Sequence, residues 1–414
     1  MDIAKFILQQ KTDNTFDKPN KTDNFNKLLQ PMKYLFLLLL STATFAQDIH
    51  FKSILVDTHN DCLTACIEKK VALDTDLTGI NHSDLARFKK GGVDYQLFSV
   101  WCDGEKAKPY EWAMREMDSL YAVAARNPEK MVIAKSWKDI QKALKEGKLV
   151  AQFGVEGGHM IEDDLNKLNT FYERGVRYMT LTHNNSTSWA SSHTDEKSPT
   201  FARKKGLSDF GKSVVQRMNK LGMIVDVSHV GEATFWDVIK TSTKPIIASH
   251  SNTYSICPVS RNLKDEQIIA IGKNGGVIHL NFYSAFVDID FWQKDVAFRK
   301  KHTAEIDSLI ASGMQTEYAF TVISDKYAEE SNAIKPDLEQ LMKHFDHIVD
   351  LIGVDHVGLG SDFDGINSAP KQLKTVLDYP LFTQALIARG YSDKDISKVL
   401  GGNFLRVYKA NNSN

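Results

Sequence analysis

A (β/α)8 barrel, the TIM barrel, is the fold this sequence predicts, and three observations predict it. Eight apolar, strand-like runs recur at 54–60, 93–101, 149–156, 176–182, 223–228, 245–249, 276–282 and 356–361. Amphipathic helical stretches lie between most of them. Six of the runs end in a histidine or a carboxylate. Strands alternating with helices imply parallel strands joined by right-handed crossovers. Closing eight such units removes the open edges and gathers the strand ends at one rim. An open doubly wound sheet would not bring side chains from the first, third, fifth, sixth and eighth strands to one point.

The strand ends carry the chemistry. Ile54-Leu-Val-Asp57 runs into Thr58-His59-Asn60-Asp61. Leu149–Val155 ends at Glu156, Val176–Thr182 at His183 and Met223–Ser228 at His229. Pro245–Ser249 ends at His250, and His356–Ser361 at Asp362. Of the helices, Glu111–Ala125 carries Trp112, Met117, Leu120 and Val123 at helical spacing. Leu207–Leu221 carries Phe210, Val214, Met218 and Leu221 at intervals of three and four. Between the seventh and eighth strands, residues 284–355 form a long, charged and aromatic helical insertion. Two or three helices are expected there on the loop side of the barrel, either as a lid or as a surface insertion without a catalytic part.

The chain has 414 residues, 42% hydrophobic and 25% charged, with a formal net charge of -1. That composition suits a large folded core. It gives no electrostatic footprint for nucleic acid, and no basic run with interleaved aromatics is present. The four cysteines, Cys62, Cys66, Cys102 and Cys257, do not form a C-x-x-C redox motif. Cys62 and Cys66 are expected to pack as small apolar residues or to form one disulfide.

The N-terminus reads as a targeting segment. Met32-Lys33 followed by Tyr34–Leu40 and the small-residue end at Ala46 has the pattern of a secretory signal peptide, cleaved after Ala46. Its apolar run is too short to span a bilayer. Residues 1–31 lack apolar periodicity, so they are either a disordered extension or precede the true start at Met32. The C-terminal residues Arg406–Asn414 show no hydrophobic tail that would direct a lipid anchor. The expectation is an exported chain, periplasmic or secreted, soluble after cleavage, with its barrel domain over 47–414.

His59 and Asp61, two apart at a strand end, point to the same side and could grip one cation. His229 and His250, from adjacent strand ends, could grip a second. Glu156 has two oxygens and can bridge the pair. These shells of nitrogen and oxygen donors suit a borderline divalent metal, zinc first. Paired ions of this kind lie about 3.5–4 Å apart and share a water whose pKa they lower. A lone histidine is usually a surface or core residue. His82, His193, His302, His344 and His347 have charged or loop-like surroundings and are left aside. His279 reads as a core residue, and His159 as a neighbour of the ligands. What singles out the five ligand candidates is their position at separate strand ends. His183 and Asp362 could complete a metal shell but are not needed for one. That frees Asp362 to move a proton and His183 to stabilise an oxyanion. Arg261, in Pro258-Val-Ser-Arg-Asn262, could hold a substrate carboxylate in two parallel hydrogen bonds, or form an ordinary surface salt bridge.

These segments resemble the membrane (renal) dipeptidase family of metallopeptidases, family M19. The motifs are Val56–Asp61, Gly154–His159, Leu181–Ala190, Val225–His229, Ser249–Ser251 through Arg261-Asn262, and Gly360–Gly365. They span nearly the whole chain after the signal segment. The resemblance implies a (β/α)8 barrel holding two zinc ions. It implies His59, Asp61 and Glu156 as ligands of one ion, and Glu156, His229 and His250 as ligands of the other. By the same resemblance His183, Arg261 and Asp362 bind substrate, with Asp362 as the proton shuttle. The implied activity is dipeptide hydrolysis, often tolerating a D-residue on the C-terminal side. A small dipeptide is thus the expected partner, and a homodimer stays open. The animal members' lipid anchor and disulfide pattern do not carry over. Two rivals differ in kind. Another two-metal barrel, acting on cyclic amides, lactones or phosphoesters, often shows His-x-His after the first strand and a modified bridging lysine. Here His59-Asn60-Asp61 and Glu156 stand at those points. A catalytically dead peptide-binding barrel would be favoured by a missing ligand, and none is missing.

Overall fold

The computed structural model describes residues 49–314 and 316–412. The signal segment 32–46 and the preceding 31 residues lie outside the described residues.

Eight strands close on themselves. They are β1 (Leu55–Asn60), β2 (Val93–Val100), β4 (Leu149–Glu156), β5 (Val176–Thr180), β6 (Ile224–Asp226), β7 (Ile247–Ala248), β8 (Val277–Leu280) and β9 (Val357–Leu359). Every neighbouring pair is parallel, and pairing of β2 with β4 and of β1 with β9 completes the ring. A further short strand, β3 (Met131–Ile133), pairs with Leu149–Ala151 of β4, beneath the point where β5 joins at Phe153. The eight expected runs are the eight barrel strands. β3 was not expected.

Alternation along β4 shows why the strands work on both faces. Ala151, Phe153 and Val155 point outward into the layer under the helices. Val150 packs inside the barrel, Gln152 donates to Ala134 O and Tyr408 Oη across it, and Glu156 follows two steps later at the rim. Each step of two keeps a side chain on the same face. The inner floor is closed by Phe404 and Tyr408 of the C-terminal helix Asn403–Asn412, packed with Val56, Tyr95, Ile224 and Val277.

The helices follow their local signals. Pro109–Arg126 begins with proline in its first turn, where the missing N–H costs nothing. Asp209–Leu221 is capped by Ser208, whose side chain accepts from Gly211 N, and ends at Gly222 in the left-handed region. Six α-helices, among the described residues, fill the stretch between β8 and β9: Ser284–Val287, Ile289–Lys301, Thr303–Ala311, Thr316–Lys326, Ala328–Ile334 and Leu338–Ile352. Only two or three were expected. Phe298, Ile306, Ala319 and Ile323 build a small apolar cluster of their own there. Leu338–Ile352 instead returns to the barrel through Leu341, Met342, Phe345 and Ile348.

All four cysteines are buried and unpaired. Cys62 and Cys66 pack as small apolar residues on the helix Cys62–Lys69, and burial pushes the Cys66 thiol up to about 12. Among the described residues no helix is long and apolar enough to cross a membrane.

Candidate metal centre and active site

Parallel strands deliver their C-terminal ends to one rim, and the candidate ligands meet there. His59 Nε2 lies 3.4 Å from Asp61 Oδ2 and 3.4 Å from Glu156 Oε2. The other oxygen of Glu156, Oε1, lies 2.9 Å from His229 Nε2 and 3.4 Å from His250 Nε2. Asp362 Oδ1 is 3.9 Å from His59 Nε2, and His183 Nε2 is 4.0 Å from Glu156 Oε1. Seven of the eight sequence-singled residues thus form one cluster: His59, His183, His229 and His250 around Glu156, with Asp61 and Asp362 beside His59. Asp362 and His183 stay within ligand reach of their neighbours, so their two readings remain as the sequence left them. The eighth residue, Arg261, lines the same cavity.

The hydrogen-bond chemistry shows that this cluster wants a cation. Ser249 Oγ has one proton and gives it to Asp226 Oδ2 at 2.6 Å. It must then accept from His250 Nδ1 at 2.7 Å, which leaves His250 Nε2 as a bare lone pair. His229 Nδ1 donates to Asn184 Oδ1 at 3.1 Å, so its Nε2 is bare too. Those two nitrogens are 3.0 Å apart. Burial holds both imidazoles well below their ordinary pKa. His59 Nε2 is also buried without a hydrogen-bond partner. The lone pairs of His229 and His250, converging on one oxygen of Glu156, are unfavourable unless a positive ion neutralises them. The residues present therefore fit a metal.

The supports behind the ligands are equally ordered. His59 Nδ1 pairs with Tyr178 Oη at 2.7 Å. Tyr178 reaches it because residue 154 is glycine; a Cβ there would stand 1.9 Å from the phenol ring. Asp226 accepts from Thr180 Oγ1 and from the backbone of Ser228 and Ser249, tying β5, β6 and β7 together. Asp57 does the same for β1 and β9, accepting from Ser361 N and Oγ and from Tyr379 Oη. His229 and Asp362 both hold φ of +63°. That conformation costs a side-chain-bearing residue roughly 1–2 kcal/mol. Strain of this kind persists where the surroundings over-determine it, commonly at functional sites.

The groups not needed as ligands have suggestive states. Burial, with the nearby charges of Asp61 and Glu156, raises Asp362 well above the usual carboxylate range, and Asn281 Nδ2 donates to its Oδ2 at 2.8 Å. Burial lowers His183 to about 4, so it is a neutral imidazole near pH 7. Glu156 is pushed up by burial but held well below its ordinary value chiefly by the nearby charge of His59. Arg261 is 6% exposed. It donates to Ser251 Oγ and His250 O, and its Nε has no partner. No carboxylate lies within ion-pair distance of it among the described residues, so the surface salt bridge is set aside. Burial lowers its pKa to about 10, leaving it charged.

A cavity of about 310 Å³ opens over the cluster, at the low end of the ~300–1,000 Å³ typical of small-molecule sites. The helical segment contributes Tyr283, Phe286, Arg299, Phe320 and Thr321 to its wall. Sequence reasoning missed Tyr178, Asn184, Asp226, Asn281, Trp101 and His193. His193, left aside as a loop histidine, sits with its ring 5.9 Å from His229 and its Nε2 3.1 Å from Asn184 Oδ1. The one usable signal was Asp226, an acid inside an otherwise apolar strand. His159 joins Cys102 Sγ at 3.6 Å rather than the cluster. His279 is buried, with Nδ1 on Ala248 O and Nε2 unpaired.

A family model described as membrane dipeptidase, peptidase family M19, matches residues 43–414. The chain belongs to this family. It is a metal-dependent dipeptidase. This dipeptidase is similar to the probable dipeptidase PvdM from Pseudomonas aeruginosa, with 27% identity and a TM-score of 0.71 over 90% of this chain and 98% of that one. A structure described as the dipeptidase AC, a metallopeptidase of family M19, shares the fold at 23% identity and a TM-score of 0.69, covering 86% and 98% of the two chains. So does a metallopeptidase from Rhodobacter sphaeroides liganded with a phosphinate mimic of the dipeptide L-Ala-D-Ala, at 22% identity and a TM-score of 0.68, covering 86% and 99%.

Proposed function

We propose that this dipeptidase works with two zinc ions and cleaves dipeptides with free termini, including those ending in a D-residue. One observation carries the dinuclear reading. The two oxygens of Glu156 face different partners, Oε2 toward His59 and Oε1 toward His229 and His250. His59, Asp61 and Glu156 would hold one ion, and Glu156, His229 and His250 the other. The mixed imidazole and carboxylate donors favour zinc.

The chemistry a zinc pair supplies is activation of a shared water near neutral pH and polarisation of the scissile carbonyl. The chain's own residues do the rest. Arg261, buried and without an acid partner, takes the C-terminal carboxylate of the substrate. His183, neutral, donates a hydrogen bond to the carbonyl oxygen as it gains charge. Asp362 takes the proton of the attacking water and passes it to the leaving nitrogen. The backbone turn at Asp362 and the bond from Asn281 aim its carboxyl at the cluster. Fixing the C-terminal carboxylate on Arg261 within a small cavity would reject peptides extended beyond that end. The signal pattern at 32–46 supports export and a soluble mature chain.

The test is hydrolysis by the zinc-loaded mature chain of a dipeptide panel, led by L-Ala-D-Ala, against tripeptides and N-acyl amides. Cleavage restricted to dipeptides and abolished by chelation is expected. A zinc-loaded chain that leaves every dipeptide intact yet opens acylated amides would refute the proposal.

A further inference from the structure

The segment between β8 and β9 brings a second arginine to the cavity, and none of the steps above uses it. Arg299 lies on the helix Ile289–Lys301 and lines the cavity beside Tyr283, Phe286 and Phe320. Its guanidinium is fixed by three contacts. Its Cζ stacks 3.9 Å from the centre of the Phe320 ring. One terminal nitrogen, Nη2, pairs with Asp295 Oδ2, one turn back, at 2.5 Å. The same nitrogen donates to Tyr283 Oη at 3.4 Å. The side chain is still 25% exposed, so this arginine is held rigid while part of it faces open space. An arginine serving only to lock two helices together has no need to face the substrate cavity.

The wall runs without a break from one arginine to the other. Arg261 Cζ lies 5.2 Å from the Phe286 ring. Phe286 and Tyr283 meet edge to face at 4.8 Å, and the Tyr283 hydroxyl meets Arg299. A substrate whose C-terminal carboxylate rests on Arg261 carries its second side chain on the adjacent carbon. Arg261 and Arg299 line one cavity, so that side chain is enclosed by the same lining. We infer that Arg299 is a specificity-determining residue that favours dipeptides ending in an acidic residue, Glu or Asp. The inference rests on Arg261 taking the C-terminal carboxylate. Asp295 occupies one nitrogen of a fork with five N–H donors, so a second carboxylate can share it.

The experiment compares kcat/KM of the zinc-loaded enzyme for Ala-Glu and Ala-Gln, with the second residue in both configurations. Glu and Gln have the same shape, so their ratio reads charge. A preference for Glu of about tenfold or more, carried mainly by KM, is expected from one charge-assisted hydrogen bond. The ratio should collapse toward one in Arg299→Met and take an intermediate value in Arg299→Lys. A wild-type ratio below about twofold overturns the inference, as does an undiminished ratio in Arg299→Met. If Arg299→Met does not fold, wild type and Arg299→Lys decide. Brisk hydrolysis of Ala-Ala without a Glu preference defeats this inference alone. Failure to cleave any dipeptide defeats the proposed function and this inference with it.

Discussion

Tyr178 Oη lies 2.7 Å from His59 Nδ1, on the opposite side of the ring from Nε2, which faces Asp61 and Glu156. Partners of this kind fix the ring and raise ligand basicity, and their loss typically weakens metal affinity roughly 10–100-fold. Tyr178→Phe should therefore lower zinc affinity by about that factor with the fold intact. Competitive titration against a chromophoric chelator measures it. Equal affinities in variant and wild type would show that the hydroxyl does not orient His59. Gly154→Ala should be worse, since its Cβ would overlap the Tyr178 ring. Overpacking costs about 1–3 kcal/mol or more, visible as a lowered Tm.

Arg261→Met should separate binding from stability. The charge-assisted hydrogen bonds it would remove are worth about 1.5–3 kcal/mol, so KM for a dipeptide should rise roughly 10–100-fold while kcat changes little. The native arginine is a buried cation without an acid partner, a costly arrangement in the absence of substrate. Replacing it by an apolar chain should leave Tm unchanged or raise it. An unchanged KM would remove Arg261 from substrate binding.

Glu116 gives a pH signature in the stability of the folded chain. Its carboxyl is buried between Thr64 Oγ1 and Trp101 N, at 2.6 and 2.8 Å, and burial pushes it up to about 8 from the ordinary value of 4.5. Between those two values the folded chain keeps a proton that the unfolded chain has lost. Stability must then fall as pH rises through that window, by roughly 3–5 kcal/mol in total. Glu116→Gln mimics the protonated form. It should match wild type near pH 5 and exceed it near pH 9 in denaturant unfolding. A difference independent of pH would contradict the raised value.

Much of this was legible in the sequence because a barrel converts strand position into spatial position. His59, Glu156, His229 and His250 each follow an apolar run, and parallel strands bring such ends together. What stayed hidden depends on pairs that no spacing reveals. Tyr178 looks like an ordinary strand aromatic until Gly154 is found beside its ring. Asn184 and His193 sit in a loop, and only the fold brings them behind His229. β3 has three residues, too few for periodicity to register. The six helices between β8 and β9 exceeded the expected two or three because short helices carry little amphipathic signal. His183 and Asp362 stand within ligand distance of their neighbours, which spacing in the sequence does not show.

Metal removal should be felt by stability as well as by turnover. The converging lone pairs of His229 and His250 lose their neutralising partner in the apo chain. Zinc at about a hundredfold above its Kd should add roughly 2.7 kcal/mol of stability, read as a Tm increase. A chelated chain with unaltered Tm and undiminished hydrolysis would show that the cluster is not a metal site.

The most direct measurement is anomalous diffraction at the zinc edge from crystals of the zinc-loaded chain. Two peaks about 3.5–4 Å apart, one on each oxygen of Glu156, are the predicted result. A single peak, or two ions that do not share Glu156, would contradict a bridged dinuclear centre.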